Sequence, residues 1–463
     1  MVIEEVSYKN FRNIAEATLK LSPGTNVIWG KNAQGKTNLI EGVYFFARGK
    51  SFRAGAEREL VRFGESAADA SVTFRREGAD GAETLSAHIP ASGRKSLMRD
   101  GIVLSGTAEM LGELCAVLFA PSHLSLVSGA PGDRRSFLDI AIAQLLPPYI
   151  ANLRRYNRVL DQRNALIKQA SQGARVSDAE WESYAELLAD AGAYIAAARL
   201  DYVSHLAPRV AAILRDMTGG AETPELFYKT HATPKDEASA LNDGQPGQMP
   251  ATPKDDAGAT QGAELSAQPA ADDAQSDADD VFGATDASPE SDADGEFAES
   301  EIKAREVSAK PLRGVRADGA AKDRLRGILL RHVDREIKAG YTLFGVHKDD
   351  VVIKLGGLDA RVFCSQGQSR SIALAMKLAE GEISCDANGE YPVFLLDDVL
   401  SELDAERRAY VLSSLEGRQI IVTSCEPDVF KAPVARLIEV SGGKIISVRE
   451  KKRRGRPRNL ATE

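Results

Sequence analysis

An α/β fold built from the two ends of one chain, with helices inserted between them, is what three stretches of the sequence predict. Near the start, Thr25-Asn26-Val27-Ile28-Trp29 is a short apolar strand that stops at Gly30, and 38–47 then has helical spacing. Far downstream, Tyr391-Pro392-Val393-Phe394-Leu395-Leu396 is a continuous apolar run, the pattern of a strand buried on both faces, and it stops at Asp397-Asp398. Between them, 148–169 and 178–217 are rich in Ala, Leu, Arg and Glu at helical spacing.

The remaining elements follow in chain order. Residues 2–8 alternate apolar and polar, 14–21 do so less regularly, and 70–75 and 116–119 are further strand candidates. The divisions expected are 1–132 for the first part of the α/β head, 133–230 for a helical lobe, 231–321 for an insertion, 322–450 for a return helix over 323–339 and the second part of the head, and 451–463 for a basic tail. In the insertion the composition collapses into Ala, Asp, Ser, Gly, Pro and Gln. Such a stretch cannot bury enough apolar surface to offset its ordering entropy, so disorder is expected there. Thr233-Pro234-Lys235-Asp236-Glu237 is echoed by Thr252-Pro253-Lys254-Asp255-Asp256, a duplication too short for a solenoid.

A length of 463 residues allows about two or three domains, and 43% hydrophobic residues suffice for sizeable cores. No apolar run reaches the ~18 residues that a bilayer crossing needs. Met1-Val2-Ile3-Glu4-Glu5 carries two acids and no basic leader, unlike a secretory signal. Cys115, Cys364, Cys385 and Cys425 form no C-x-x-C pair, which disfavours zinc and fits a reducing cytosol, so a cytoplasmic protein without a membrane partner is expected. The net charge of −9 hides an asymmetry. Twelve acids and no base lie in 271–301, so the remainder carries a surplus of three positive charges, which permits a nucleic-acid partner.

The chemistry starts at Gly30-Lys31-Asn32-Ala33-Gln34-Gly35-Lys36-Thr37, which matches G-x-x-x-x-G-K-[ST] after a strand and before a helix. Its glycines let backbone N–H groups close around phosphate oxygens, and the helix start adds partial positive charge. Lys36 is expected to reach the β and γ phosphates of ATP, and Thr37 to offer its hydroxyl to Mg²⁺. Asp397 is the candidate second ligand of Mg²⁺, and Asp398 the candidate for positioning the attacking water. The alternative for both acids is to cap the helix after them. Gln419-Ile420-Ile421-Val422-Thr423-Ser424 is another apolar strand, ending either in a switch hydroxyl or as an ordinary terminus.

Cys364-Ser365-Gln366-Gly367-Gln368-Ser369-Arg370 precedes a further helical run. Ser365 can cap that helix, and Ser365, Gly367 and Gln368 then mark a second anion site at a helix start. One chain already has its phosphate loop. The second site is therefore expected to cap the ATP of another subunit, making nucleotide the bond within an ATP-dependent homodimer.

Phosphate loop, serine-glycine-glutamine signature, acid-ended strand and Ser401-Glu402-Leu403-Asp404 together resemble the ABC/SMC-type ATPase head. Asn10-Phe11-Arg12-Asn13, Gly49-Lys50-Ser51-Phe52-Arg53, Pro131-Gly132-Asp133-Arg134-Arg135-Ser136-Phe137-Leu138-Asp139 and Thr342-Leu343-Phe344-Gly345-Val346-His347-Lys348-Asp349-Asp350 resemble the RecF family in particular. The resemblance spans 1–230 and 322–450. Val346 and Lys348 stand where the family usually has Pro and Arg, and Ser369 where it usually has a second Gln. It implies a two-lobed protein that dimerises on ATP, hydrolyses it slowly, and binds duplex, gapped or single-stranded DNA. It also implies work with RecO and RecR partners in recombinase loading, repair, replication restart and the SOS response.

Two alternatives remain beside it: a soluble ABC-type ATPase subunit of another assembly, and a DNA-binding scaffold with a structural ATP site. Arg53, Arg154, Arg155, Arg158 and Arg163 either line a DNA groove or form a solvated helix face. Arg454-Gly455-Arg456-Pro457 is either a minor-groove arm or a generic phosphate-binding tail. The acidic insertion is either a tolerated surface insertion or a regulator folding back on a basic groove.

Overall fold

The computed structural model describes residues 1–230, 300–303, 311–312, 314–426 and 436–450. The chain opens on β1 (Val2–Phe11) and β2 (Ile14–Lys20), then β3 (Thr25–Trp29) and α1 (Lys36–Arg48). β4 (Ala67–Arg75), β5 (Glu83–Pro90), β6 (Ser96–Arg99) and β7 (Ile102–Val103) follow, then a short α2 (Thr107–Met110) and β8 (Ala116–Phe119). Three helices come next: α3 (Pro131–Ala143), α4 (Pro147–Ser171) and α5 (Asp178–Met217). The chain returns through β9 (Pro224–Thr230), β10 (Ser300–Lys303), α6 (Gly319–Arg331), α7 (Val333–Ala339), β11 (Asp350–Leu355), β12 (Leu358–Asp359), α8 (Ala360–Phe363) and α9 (Gln366–Asn388). It ends on β13 (Val393–Leu396), α10 (Ala405–Ser414), β14 (Ile420–Ser424), β15 (Arg436–Ser441) and β16 (Lys444–Glu450).

The central sheet has the order β16-β15-β3-β14-β13-β8, and both ends of the chain stitch it together. β13 lies parallel between β8 and β14, and β14 lies parallel between β13 and β3. Residues hundreds of positions apart therefore pair directly, as Val422 does with Val27. The period-two alternation of each apolar strand sends its two faces into different cores. Val27, Val117, Phe119, Phe394, Leu396 and Val422 face α3, α4, α5 and α9. Ile28, Ala116, Leu118, Val393, Leu395 and Ile421 face the antiparallel sheet β2-β1-β4-β5-β6-β7 and α1. Wedged between two sheets, α1 is buried nearly all round by Leu39, Ile40, Val43, Phe45, Phe46 and Ala47.

The helical lobe hangs on α5, a helix of 40 residues. Ser177 starts it with a capping box: its hydroxyl accepts from the Glu180 N–H while Glu180 accepts from Ser177 N. After Met217 the chain leaves the helix and enters β9, which centres a small sheet of order β10-β9-β11-β12. Three features depart from the expected spans. Residues 224–230 are strand, not helix; Ser300–Lys303 pairs with β9; and the return helix begins at Gly319, capped by Asp318, and is broken at His332 into α6 and α7. Residues 231–299, most of the expected insertion with its short echo, and the tail at 451–463 lie outside the described residues.

Candidate functional site

Gly30 to Gly35 form the turn between β3 and α1, at the C-terminal edge of the parallel sheet, and Lys36 and Thr37 open the helix. Backbone conformation explains both glycines. Gly35 has φ +100, and a Cβ there would sit 2.6 Å from Asn13 Oδ1; at Gly30 a Cβ would sit 2.2 Å from the Val440 carbonyl oxygen. Ala33 also takes a positive φ of 62. Lys31, Asn32 and Ala33 are exposed, whereas Lys36 is buried. Lys36 Nζ folds back and donates to the carbonyls of Gly30 (2.7 Å) and Lys31 (3.0 Å), so the loop encircles its own lysine. The Gln34 side chain accepts from Gly442 N at 2.6 Å and ties the loop to the β15–β16 turn.

Because β14 separates β3 from β13, the loop and the acids converge across it. Thr37 Oγ1 donates to Asp397 Oδ1 at 2.8 Å, and Thr423 Oγ1 donates to the same oxygen at 2.9 Å. Asp398 N in turn donates to Thr423 Oγ1 at 2.9 Å. Asp397 is buried, and burial pushes its carboxyl above the ordinary aspartate range. The two hydroxyl donors and the nearby Arg53 guanidinium counter that rise, while the charge of Asp398 adds to it. Asp398 adopts φ 54, a left-handed conformation rare for a residue with a side chain, directly at the strand end. Ser401 Oγ donates to its carbonyl at 2.6 Å and steadies the turn.

Ser365 caps α9 as its sequence suggests. Gln368 N donates to Ser365 Oγ at 3.2 Å, and Ser365 N donates to Gln368 Oε1 at 2.8 Å. The Gln368 amide also donates to Glu222 Oε1 at 2.9 Å, from the segment between α5 and β9. Ser371 Oγ donates to the Gly367 carbonyl at 3.0 Å, and Arg407 Nε donates to Ser371 Oγ. Ser365 and Gln366 are exposed. Among the described residues no hydrogen bond joins Ser365, Gly367 or Gln368 to the phosphate loop of the same chain. The fold thus brings Lys36, Thr37, Asp397 and Asp398 together and leaves the Ser365 helix start exposed and not hydrogen-bonded to them.

Several residues at the site take their partners only from the fold. Asn38 Nδ2 donates to Asn13 Oδ1 at 2.8 Å, and Arg53 Nη1 donates to Asn38 Oδ1 at 3.2 Å, so Arg53 belongs beside Asp397. Arg12 grips Glu41 through both Nε and Nη2, and Ser51 donates to the same carboxylate. Cys425, exposed after β14, donates its thiol to Asn32 Oδ1 and lies 3.6 Å from Lys36 Nζ. Of the helical arginines, Arg163 is not a surface residue: its side chain has no exposure and pairs with the equally buried Glu336 at 2.7 Å. Arg155 pairs with Asp190, while Arg158 remains exposed. No helix among the described residues is long and apolar enough to cross a membrane.

The family model described as RecF/RecN/SMC N terminal domain matches residues 2–444. The chain belongs to the RecF family. Among curated relatives, the DNA replication and repair protein RecF of Clostridium novyi (strain NT) is 31% identical over 423 residues, 91% of this chain and 92% of its own. The RecF protein of Pelotomaculum thermopropionicum is 32% identical over 450 residues, 96% of this chain and all of its own. Among solved structures, the recombination mediator protein RecF-ATPrS in the RecFOR pathway superposes with a TM-score of 0.74 at 27% identity, over 96% of this chain and 97% of that one. The RecF-ATP structure gives 0.73 at 27% identity over 97% of each chain. The resemblance read from the four RecF-like segments is thereby confirmed, with an α/β head assembled from both ends of the chain.

Proposed function

We propose that this RecF-family protein is an ATP-dependent DNA-binding protein of recombinational repair and replication restart, in which ATP joins two copies into a clamp. The observation that carries the reading is the division of one chain's nucleotide chemistry into two surfaces. Phosphate loop, Thr37 and Asp397 converge, while Ser365 presents a solvent-facing helix start that its own loop does not use. A phosphate at that start would meet free backbone N–H groups and the positive helix end. Ser365 Oγ accepts from Gln368 N, which leaves its proton free to donate outward. Relatives named for DNA replication and repair, and the solved structure of RecF with ATP in the RecFOR pathway, support the same reading, with RecO- and RecR-type partners.

Each group has a role in this scheme. Lys36, already sharing its charge with carbonyls, trades those contacts for β and γ phosphate oxygens. A hydroxyl and a carboxylate oxygen 2.8 Å apart at Thr37 and Asp397 suit a hard divalent cation. Bound Mg²⁺ supplies neutralisation of phosphate charge there. Asp398, fixed in its unusual turn, orients the attacking water, and Thr423 holds Asp397 and Asp398 in register. Hydrolysis is weak and stimulated by DNA, and loss of the γ-phosphate releases the second copy.

The test is a sizing experiment combined with DNA affinity at defined salt, since phosphate contacts make affinity steeply ionic-strength dependent. Monomer in ADP is expected to become dimer in ATP with tighter DNA binding, and Lys36→Ala is expected to stay monomeric. A dimer that forms equally in ADP, or DNA affinity indifferent to nucleotide, overturns the reading.

A further inference from the structure

We propose that Leu358, Val362 and Phe363 form an apolar anchor that packs against a second copy of this chain. The inference deepens the ATP-joined dimer and rests on it. These residues are 54%, 69% and 64% exposed, and all lie within the eight residues that lead into Ser365. Large apolar side chains at such exposure are ordinary when scattered singly. Three together beside an exposed helix start make a patch.

The patch is rigidly presented. Gly356 and Gly357 turn the hairpin that pairs Leu355 with Leu358 and Lys354 with Asp359. The Asp359 carboxylate then accepts from Arg361 N at 2.8 Å and caps α8. Ala360 is 1% exposed and roots that turn in the core, while Cys364 N donates back to the Ala360 carbonyl at 3.2 Å. With Ala360 inward, the helical turn aims Val362 and Phe363 outward. Other exposed large side chains, including Phe63, Ile102 and Val448, sit on the loop before β4, on β7 and on β16, outside the segment that leads into Ser365.

Area decides what the patch can do. One aromatic side chain of about 150–250 Å² and two smaller aliphatic ones, each between half and seven-tenths exposed, offer on the order of 300 Å² per copy. That is the size at which exposed apolar patches on monomers are commonly functional. A stable interface needs about 800 Å² per partner, so the patch alone does not hold two copies together. The missing area lies around the nucleotide, where Ser365 of one copy reaches the phosphates on the other. In a two-fold pair the patch is used twice, once on each side. Only Cys364 separates Phe363 from Ser365, so the patch must meet the rim of the partner's phosphate loop. Association then waits for ATP because neither surface suffices without the other.

The test is the double variant Val362→Asp/Phe363→Asp, both positions being exposed, with Val362→Leu/Phe363→Leu as the apolar control. Binding of a fluorescent ATP analogue to the monomer is expected to stay within about 2-fold of the unmodified protein. ATP-driven dimerisation in sedimentation velocity is expected to weaken by at least about 30-fold, the loss typical of a buried aromatic anchor, and the leucine pair is expected to restore it. An aspartate pair that dimerises normally, or that loses ATP binding in the monomer, overturns the proposal while leaving the dimer reading intact. An unmodified protein that stays monomeric in saturating ATP sinks the dimer reading itself, and the anchor with it.

Discussion

Arg163→Met separates a structural arginine from a DNA ligand, and its size follows from the surroundings. Arg163 and Glu336 have side-chain exposures of zero and lie 2.7 Å apart. The guanidinium also donates to Thr342 Oγ1 at 2.9 Å and to the Leu329 carbonyl at 3.3 Å, and stacks on Trp181 at 5.6 Å. Leu343 N satisfies Glu336 Oε1, but among the described residues Oε2 has only the ion pair. Removing the cation therefore strands a buried carboxylate, and breaking a buried pair from one side costs about 3–5 kcal/mol. Burial already raises the Glu336 carboxyl with Arg163 present, and loss of the guanidinium raises it further, which eases the buried charge and keeps the loss near the lower end. With an unfolding entropy of about 2.1 cal/mol/K per residue, a chain this long shifts by only ~1–1.5 °C per kcal/mol, so the melting transition of the purified variant is expected to fall by roughly 4 °C. Arg163→Met/Glu336→Met, which removes both charges, is expected to recover to within about 2 kcal/mol of the unmodified protein. DNA affinity of the folded single variant, read by fluorescence anisotropy, is expected to stay unchanged. An unshifted melt together with a clear loss of DNA affinity and a shallower salt slope refutes this placement of Arg163.

Further outcomes follow from the site. Asp397→Asn keeps an oxygen for the Thr37 and Thr423 hydroxyls, so it is expected to abolish Mg²⁺-dependent ATP binding while the nucleotide-free melt at neutral pH stays level or rises. The sign is fixed by the raised carboxyl: the folded protein holds that proton more tightly than the unfolded chain, so this aspartate's contribution to stability is present at low pH and is lost as pH rises through its folded pKa. For the same reason Mg²⁺-dependent ATP binding is expected to fail on acidification at a higher pH than an ordinary aspartate would set, as titration of ATP affinity against pH will read. Gly35→Ala forces a Cβ to 2.6 Å from Asn13 Oδ1 at φ +100 and is expected to weaken ATP binding more than 10-fold, with only ~1–3 kcal/mol lost in stability, by calorimetry and denaturant melts. Glu222→Ala frees the Gln368 amide and is expected to weaken ATP-driven dimerisation without changing ATP affinity of the monomer, with Glu222→Gln restoring it through its own carbonyl oxygen. Equal dimerisation of all three proteins removes Glu222 from the positioning of the signature.

Chemistry that depends on backbone geometry was legible in the sequence. The phosphate loop announces itself because only glycine tolerates the contacts at Gly30 and Gly35, and the acid-ended strand because a run buried on both faces must be apolar throughout. The capping box at Ser365 and Gln368 is likewise a local rule, with both partners within one turn. What stayed hidden depends on pairing across long sequence separations. Arg163 shows the helical spacing of a surface face with its neighbours Arg155 and Arg158, yet a glutamate 173 positions later claims it. Arg53 reads as a free basic residue until Asn38 and Asp397 surround it. The strand at 224–230 was hidden for the same reason, since its partners Ser300–Lys303 and Asp350–Leu355 lie far along the chain.

The small sheet joins parts that the sequence keeps separate. β9 receives the chain from the end of α5, pairs with β10 where the chain re-enters after 299, and pairs with β11, which leads through Leu358–Phe363 to Ser365. Glu222, at the entrance to β9, holds the Gln368 amide, and Thr218 Oγ1 donates to the Leu214 carbonyl and accepts from Glu222 N. A continuous set of hydrogen bonds thus runs from the last turn of a 40-residue helix to the cap of the signature helix. Glu222 thus ties the end of α5 to the signature cap, while the phosphate loop is tied separately, by Gln34, to the β15–β16 turn. In the proposed clamp, cutting this set at Glu222 is therefore expected to act on the union of two copies and not on the grip of one copy on its nucleotide.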